Sequence, residues 1–305
     1  YFPNKPVSNE DMEDFLGLIT GKHSRVKPVI LKQNGIKQRY YALTKEQKIT
    51  HTNAEMAVNS ILQLLKNSDI SNSEIELLSC ATSSPDQMLP SHASMVHGLL
   101  KNKPLEIFSA SGICLSCLQA FKTAFWGVLS GEKRNAICST SELTSATLLS
   151  KNYDIEYEKC ADLGVQPYMA LEKDFLRFML SDGASAVLLQ NNPGNGKALH
   201  VEWVEMTSYA NELPTCMYMG AERKENGELK SWKSFNNLER TEQSLFVVKQ
   251  DVKLLGAHAV PYWAKHIKYC LEKHNVAPES ISYVLPHVCL LYTSPSPRDR
   301  SVSRM

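Results

Sequence analysis

Short apolar runs alternate with longer amphipathic ones between residues 52 and 140, and this alternation restricts the chain to a few folds. Residues 52–65 have helical spacing, with Ala57, Ile61 and Leu64 or Leu65 on one face. Residues 75–82 are a continuous apolar run of strand length. Pro85, Pro90 and Ser91 then break the chain and start a helix that reaches about Leu100. Residues 105–108 read as a short strand, 114–129 as a mostly apolar, buried helix ended by Ser130-Gly131, and 136–139 as the next strand. Strands and helices alternating at this spacing predict an α/β architecture, a sheet with helices on both faces.

The remainder is less regular. In the first 50 residues, Ser8-Asn9-Glu10-Asp11 has the composition of a helix start, with acidic side chains near the positive end of the dipole. Residues 144–180 read as an excursion from the sheet. Residues 184–189 and 200–206 are expected to be strands paired through the turn at 192–196. Residues 222–240 read as a solvated loop. Helical spacing returns at 245–255, and Pro261 begins or kinks the next helix, to about Lys273. Residues 281–285 form an apolar strand that runs into Pro286-His287. The order of elements in 52–140 roughly recurs in 245–288, which points to two similar halves, the second unfinished.

Composition excludes several classes. The chain has 305 residues, 43% hydrophobic and 21% charged, with a formal net charge of +1, values ordinary for a globular protein and too neutral for a nucleic-acid binder. The eight cysteines are scattered, and the single C-x-x-C spacing, Cys114 with Cys117, does not make a metal site; the set argues for reduced thiols in a cytoplasm rather than a disulfide framework or a zinc site. No run of about 18 apolar residues suggests membrane insertion.

Two residues carry the candidate chemistry. Cys114 stands where a strand passes into a helix, and the first turn of a helix offers free backbone N–H groups that favour thiolate. The alternative for such a Cys is inert packing, which is how Cys80, Cys117 and Cys138 are read. His287 follows an apolar strand, at a kind of loop where ligands collect; it is either a surface His or a proton donor and acceptor. Ser181-Asp182-Gly183-Ala184-Ser185-Ala186 has too few glycines and no Lys for a phosphate loop and reads as a tight turn.

In order and spacing these pieces resemble the β-ketoacyl-ACP synthase III family of thiolase-fold condensing enzymes. Tyr1-Phe2-Pro3 and Val7-Ser8-Asn9 match the family's opening, and Gly35-Ile36 with Arg39 its G-I-x-x-R. Ala81-Thr82, Pro85-Asp86, Pro90-Ser91 and Ala93 match the stretch ahead of the nucleophile. Cys114 falls at the nucleophile position, with Ser130-Gly131 following at the family's spacing. Ser181 to Ala186 is similar to the G-D-G-A-x-A turn, and Val284-Leu285-Pro286-His287 to the strand that carries the catalytic His. Two departures stand out. Leu115-Ser116 replaces a small residue and Gly, and Val29 and Gln33 replace the Trp and Arg that grip coenzyme A.

The resemblance implies a thiolase-like α/β fold of two similar halves in αβαβα layers: residues 1–190 bearing the nucleophile, and 191–288 a partial second half. It implies decarboxylative Claisen condensation of an acyl thioester with malonyl-ACP, with acyl transfer to Cys114 and enolate stabilisation by His287 and an Asn further on. It also implies acyl-carrier protein or coenzyme A thioesters as partners, a homodimer, and no metal or cofactor. A non-decarboxylative acyltransferase and a non-catalytic partner subunit are the alternatives. Residues 289–305 resemble a translated sequencing-library adapter, and the chain opens without Met. The expectation is therefore an internal fragment, interrupted after His287, poorly folded and inactive as it stands.

Overall fold

The computed structural model describes residues 1–162, 174–192, 198–285 and 287. The chain divides into two compact units, residues 1–17, 38–149 and 180–204 in the first, and 18–37, 150–179 and 205–305 in the second.

The first unit is built on one sheet. Its elements are β1 (Val7–Ser8), α1 (Met12–Leu16), β2 (Gln38–Arg39), α3 (Asn53–Lys66), β3 (Leu77–Thr82), α4 (His92–Leu100), β4 (Glu106–Ser111), α5 (Ser116–Leu129), β5 (Asn135–Glu142) and β6 (Gly183–Gln190); α2 (Lys27–Asn34) belongs to the second unit. The main sheet has the order β4-β3-β5-β6, with β3, β4 and β5 parallel and β6 antiparallel to β5. Every residue of β3 is buried, as a central strand covered on both faces requires. Helices α3 and α4 cover one face and α5 the other.

Local chemistry explains these elements. Thr52 and Glu55 form a reciprocal capping box that starts α3, and Ala54, Ala57, Val58 and Ile61 then line its buried side. These meet Ile75, Leu78, Ala93, Val96 and Ile137 in one core cluster. Side chains of this size stabilise the fold by about 1.5–3 kcal/mol each when fully buried. On the opposite face Ala120, Ala124, Phe125 and Val128 of α5 pack on Leu77, Ala81, Ala136 and Cys138. Small residues let this helix lie close to the sheet: a Cβ on Gly127 would stand 3.0 Å from Leu77. Helix α5 is buried on one side only, since Leu118, Trp126 and Leu129 are exposed.

The turn before β6 is an anchor. The Asp182 carboxylate accepts hydrogen bonds from the N–H groups of Ala42 (2.7 Å) and Ser145 (2.9 Å) and from the Ser145 hydroxyl, tying three distant segments together. Residues 200–206 are not a strand: 198–209 carry no regular structure. Val201 and Val204 instead pack singly on the α5 core cluster. Their apolar pattern reflects side-chain burial rather than pairing, and β6 remains an edge strand among the described residues. The expected turn at 192–196 lies mostly outside the described residues.

The second unit contains α2, α6 (Asp154–Asp162), β7 (Met217–Tyr218), β8 (Ala221–Arg223), β9 (Leu229–Ser231), α7 (Asn237–Glu242), β10 (Lys249–Gln250) and α8 (Val252–Lys273). Its strands form two-stranded pairs, β7 with β10 and β8 with β9. The stretch 222–240, expected to be a loop, is a hairpin and a capped helix. Gly227, at φ 85°, makes the turn beside Asn226, and Asn236 with Glu239 caps α7. Pro261 lies inside the single helix α8, whose start is set by Asp251 accepting from Leu254 N–H at 2.9 Å. Residues 281–285, expected to be a strand, are extended coil with Leu285 93% exposed. None of the described strands pairs with the segment.

Candidate active site

Because β3, β4 and β5 are parallel, Thr82, Ser111 and Glu142 end at one edge of the sheet, and the loops after them gather there. Ligands of open α/β sheets bind at such carboxyl edges. The loop after β4 is short. Gly112, at φ 151°, turns the chain out of the strand, a conformation that L side chains rarely adopt. Ser116 N–H then donates to Ile113 O at 2.9 Å, and α5 begins.

Cys114 sits in this turn, exposed, two residues ahead of the helix rather than inside its first turn as the sequence suggests. The difference arises from the tight Ile113–Ser116 turn, which delays the helix. No side chain caps α5, so its first N–H groups are not taken by a capping residue. Among the described cysteines Cys114 alone is exposed. Cys80 and Cys138 are buried, as expected; burial pushes the Cys138 thiol up to about 12 and Cys80 further in the same direction. Cys117 is half-buried rather than core, and its thiol is also pushed up, mainly by burial and in part by the charge of Glu142.

Below the start of α5 lies a cavity of about 150 Å³, lined by Cys117, Leu118 and Phe121 from the helix and Cys138, Thr140, Ser185 and Val187 from β5 and β6. Glu142 ends β5 beside this wall. Its carboxylate accepts from Ser83 N–H (2.7 Å), Ser83 Oγ (2.8 Å) and Ser84 Oγ (2.6 Å), yet burial holds the carboxyl above its usual range. Sequence reasoning missed Glu142; the signal was an acidic residue closing an otherwise uncharged strand.

His287 belongs to the second unit and is exposed in coil; Cys114 belongs to the first. Val29 is exposed on α2, while the side chain of Gln33 and the whole of residues 288–305 lie outside the described residues. Among the described residues no helix is long and apolar enough to cross a membrane, and no group of three or more His, Cys, Asp or Glu is placed to hold a metal ion.

No family model matches the chain. Curated relatives do. The β-ketoacyl-[acyl-carrier-protein] synthase III of Rhodobacter capsulatus is 23% identical over 288 residues, covering 94% of this chain and 74% of that one. The enzyme of the same name from Ehrlichia canis (strain Jake) is 30% identical over 148 residues, 48% of this chain and 43% of that one. Among solved structures, the tetronic acid condensing enzyme AbyA1 matches with a TM-score of 0.63 at 18% identity, over 93% of this chain and 74% of that one. The 3-oxoacyl-[acyl-carrier-protein] synthase III of Aquifex aeolicus VF5 matches with a TM-score of 0.59 at 21% identity, over 94% and 73%.

The fold is thus the thiolase-like fold of the condensing enzymes. The sequence relatives are enzymes of that class as well, and the chain is an enzyme homologue similar to the β-ketoacyl-ACP synthases III.

Proposed function

We propose that Cys114 is the nucleophile of a decarboxylative Claisen condensation between an acyl thioester and a malonyl group on acyl-carrier protein. The observation that supports this reading is an exposed thiol at the carboxyl edge of a parallel sheet, just ahead of an uncapped helix. The thiolate attacks the acyl carbonyl carbon; the carrier's carbon–sulfur bond breaks, and the carrier thiolate leaves and takes up a proton. Backbone N–H groups at the turn stabilise the oxyanion of the tetrahedral intermediate. The malonyl thioester then loses carbon dioxide, and the electron pair of the broken bond forms an enolate. His287 donates a hydrogen bond to the enolate oxygen. The enolate carbon attacks the acyl-Cys carbonyl and expels the Cys114 thiolate.

In this reading residues 1–190 are the nucleophile-bearing half and 191–288 part of the other. Donors on a carrier protein are preferred over coenzyme A, because Val29 and Gln33 cannot stack on and pair with a nucleotide as Trp and Arg can. A homodimer would cover the outer edge of β4, where Ile107 and Phe108 are exposed. The scattered thiols fit a reducing cytoplasm.

The test is carbon dioxide release from a carboxyl-labelled malonyl carrier by the full reading frame that contains this sequence. Release coupled one-to-one to ketoacyl product supports the proposal. Acyl transfer to Cys114 without release would replace it by a non-decarboxylative acyltransferase, and no acyl-enzyme at all by a partner subunit.

A further inference from the structure

The contact between α5 and the sheet is almost wholly apolar: Ala120, Ala124, Phe125 and Val128 lie on Leu77, Ala81, Ala136 and Cys138. Apolar contact is non-directional. The alanines at 120 and 124, nearest the start of the helix, also give it little shape with which to resist sliding or turning on the strands. One hydroxyl group supplies direction. Ser79, fully buried in β3, donates to the carbonyl oxygen of Ala120 at 2.7 Å. Side chains along a strand alternate between faces, and Leu77 and Ala81, two residues to either side of Ser79, pack in the α5 cluster. A carbonyl oxygen has two lone pairs, so Ala120 can accept this bond as well as one from its own helix. Among the described residues the other polar contact between α5 and the sheet is a weak one, from Cys138 Sγ to Cys117 O at 4.0 Å.

Both arms of the Cys114 turn thus lead back to β3. The incoming arm is β4, paired with β3 in parallel register as far as Thr82 opposite Ser111, the residue before Gly112. The outgoing arm is α5, held at its fifth residue by Ser79. Cys117, in the first turn of α5, donates to the Cys114 carbonyl oxygen at 3.0 Å, so a shift of the helix is passed to the turn.

We propose that Ser79 is a positioning residue for Cys114: its buried hydroxyl fixes the start of α5 on the central strand, and so sets how the turn presents its thiol together with its backbone N–H groups. The inference rests on reading Cys114 as the nucleophile of acyl transfer. Ser79 lies beneath the helix and acts through it, not on the substrate. Acyl transfer needs the thiol and the oxyanion donors aligned with each other, whereas a small alkylating agent needs only an accessible thiol. A slackened helix slows the first reaction and spares the second.

The experiment compares the full reading frame that contains this sequence with its Ser79→Ala and Ser79→Thr variants. Acyl transfer to Cys114 is timed, and brief alkylation by iodoacetamide is read at each cysteine by peptide mass spectrometry. Ser79→Ala should slow acyl transfer roughly fivefold and leave alkylation of Cys114 near the wild-type rate. It should also speed alkylation of the half-buried Cys117 roughly fivefold, as the start of α5 loosens. Cys80, buried on the other face of the sheet, should stay unlabelled. Ser79→Thr, which keeps the hydroxyl group, should return both rates towards wild type. Unchanged labelling of Cys117 in Ser79→Ala would overturn the proposal. So would faster labelling with acyl transfer unaffected, and so would labelling of Cys80 alongside Cys117, which marks a general loosening of the unit. Alkylation does not depend on the condensing function. If the wild type takes no acyl group, that function fails, and the labelling of Cys117 in the two variants still decides whether Ser79 holds the turn.

Discussion

The thiol of Cys117 donates a hydrogen bond to the carbonyl oxygen of Cys114, 3.0 Å away, and so ties the exposed turn to the second residue of α5. The bond fixes the peptide that follows Cys114 and, through it, the direction of the backbone at the nucleophile. A neutral hydrogen bond of this kind contributes about 1 kcal/mol. Cys117→Ala should slow acyl transfer to Cys114 roughly fivefold, whereas Cys117→Ser, which can donate the same bond, should retain most of the rate. Equal rates for the two variants would show that the bond does not position the turn.

Glu142 also makes a prediction about stability. Burial holds its carboxyl group above the ordinary value of 4.5, more than offsetting the hydrogen bonds that favour the charged form. A carboxyl group with a raised folded-state pKa binds its proton more tightly in the folded chain. Its contribution is full below the ordinary value and is lost as pH rises through the folded one. Glu142→Gln stays neutral throughout. The stability of the wild type minus that of this variant should therefore fall as pH rises above the ordinary value of 4.5 in urea titrations. A difference that rises over this range would mean that the serine hydrogen bonds outweigh burial.

Gly127 gives a prediction about packing. A Cβ there would stand 3.0 Å from Leu77 Cδ2 and 3.3 Å from Lys133 Cγ, and Leu77 is held in the buried first position of β3. Gly127→Val should destabilise the first unit by about 1–3 kcal/mol, the usual range for overpacking. Gly127→Ala should be closer to neutral, because the gain in helix propensity, about 1 kcal/mol, opposes the contact. Thermal melts of both variants check the order. A Val variant as stable as the wild type would mean that α5 is free to shift on the sheet.

The parts legible in the sequence are those where a local signal and a tertiary need coincide. Residues 52–65 have both a cap at Thr52 and an apolar stripe that the sheet requires, and the structure forms α3 there. The run that became β3 is buried on both faces, so an unbroken apolar stretch was enough. Residues 200–206 and 281–285 have the pattern of strands but pair with none of the described strands, and pattern alone cannot supply a partner. The hairpin at 221–231 went unread because its residues are polar on both sides, although Asn226-Gly227 marks its turn. At the site, Cys114 was visible from its strand-to-helix position. The anchoring of Glu142 was not, since it depends on hydrogen bonds from a loop some 60 residues earlier in the chain.

The account stands most directly on where an acyl group goes. The protein is incubated with acyl thioesters on carrier protein and on coenzyme A, quenched, digested and mapped by mass spectrometry. The prediction is a single adduct on Cys114, formed faster from the carrier-bound donor and absent in Cys114→Ala at an unchanged melting temperature. An adduct on Cys117 or Cys80 with Cys114 unmodified would contradict it.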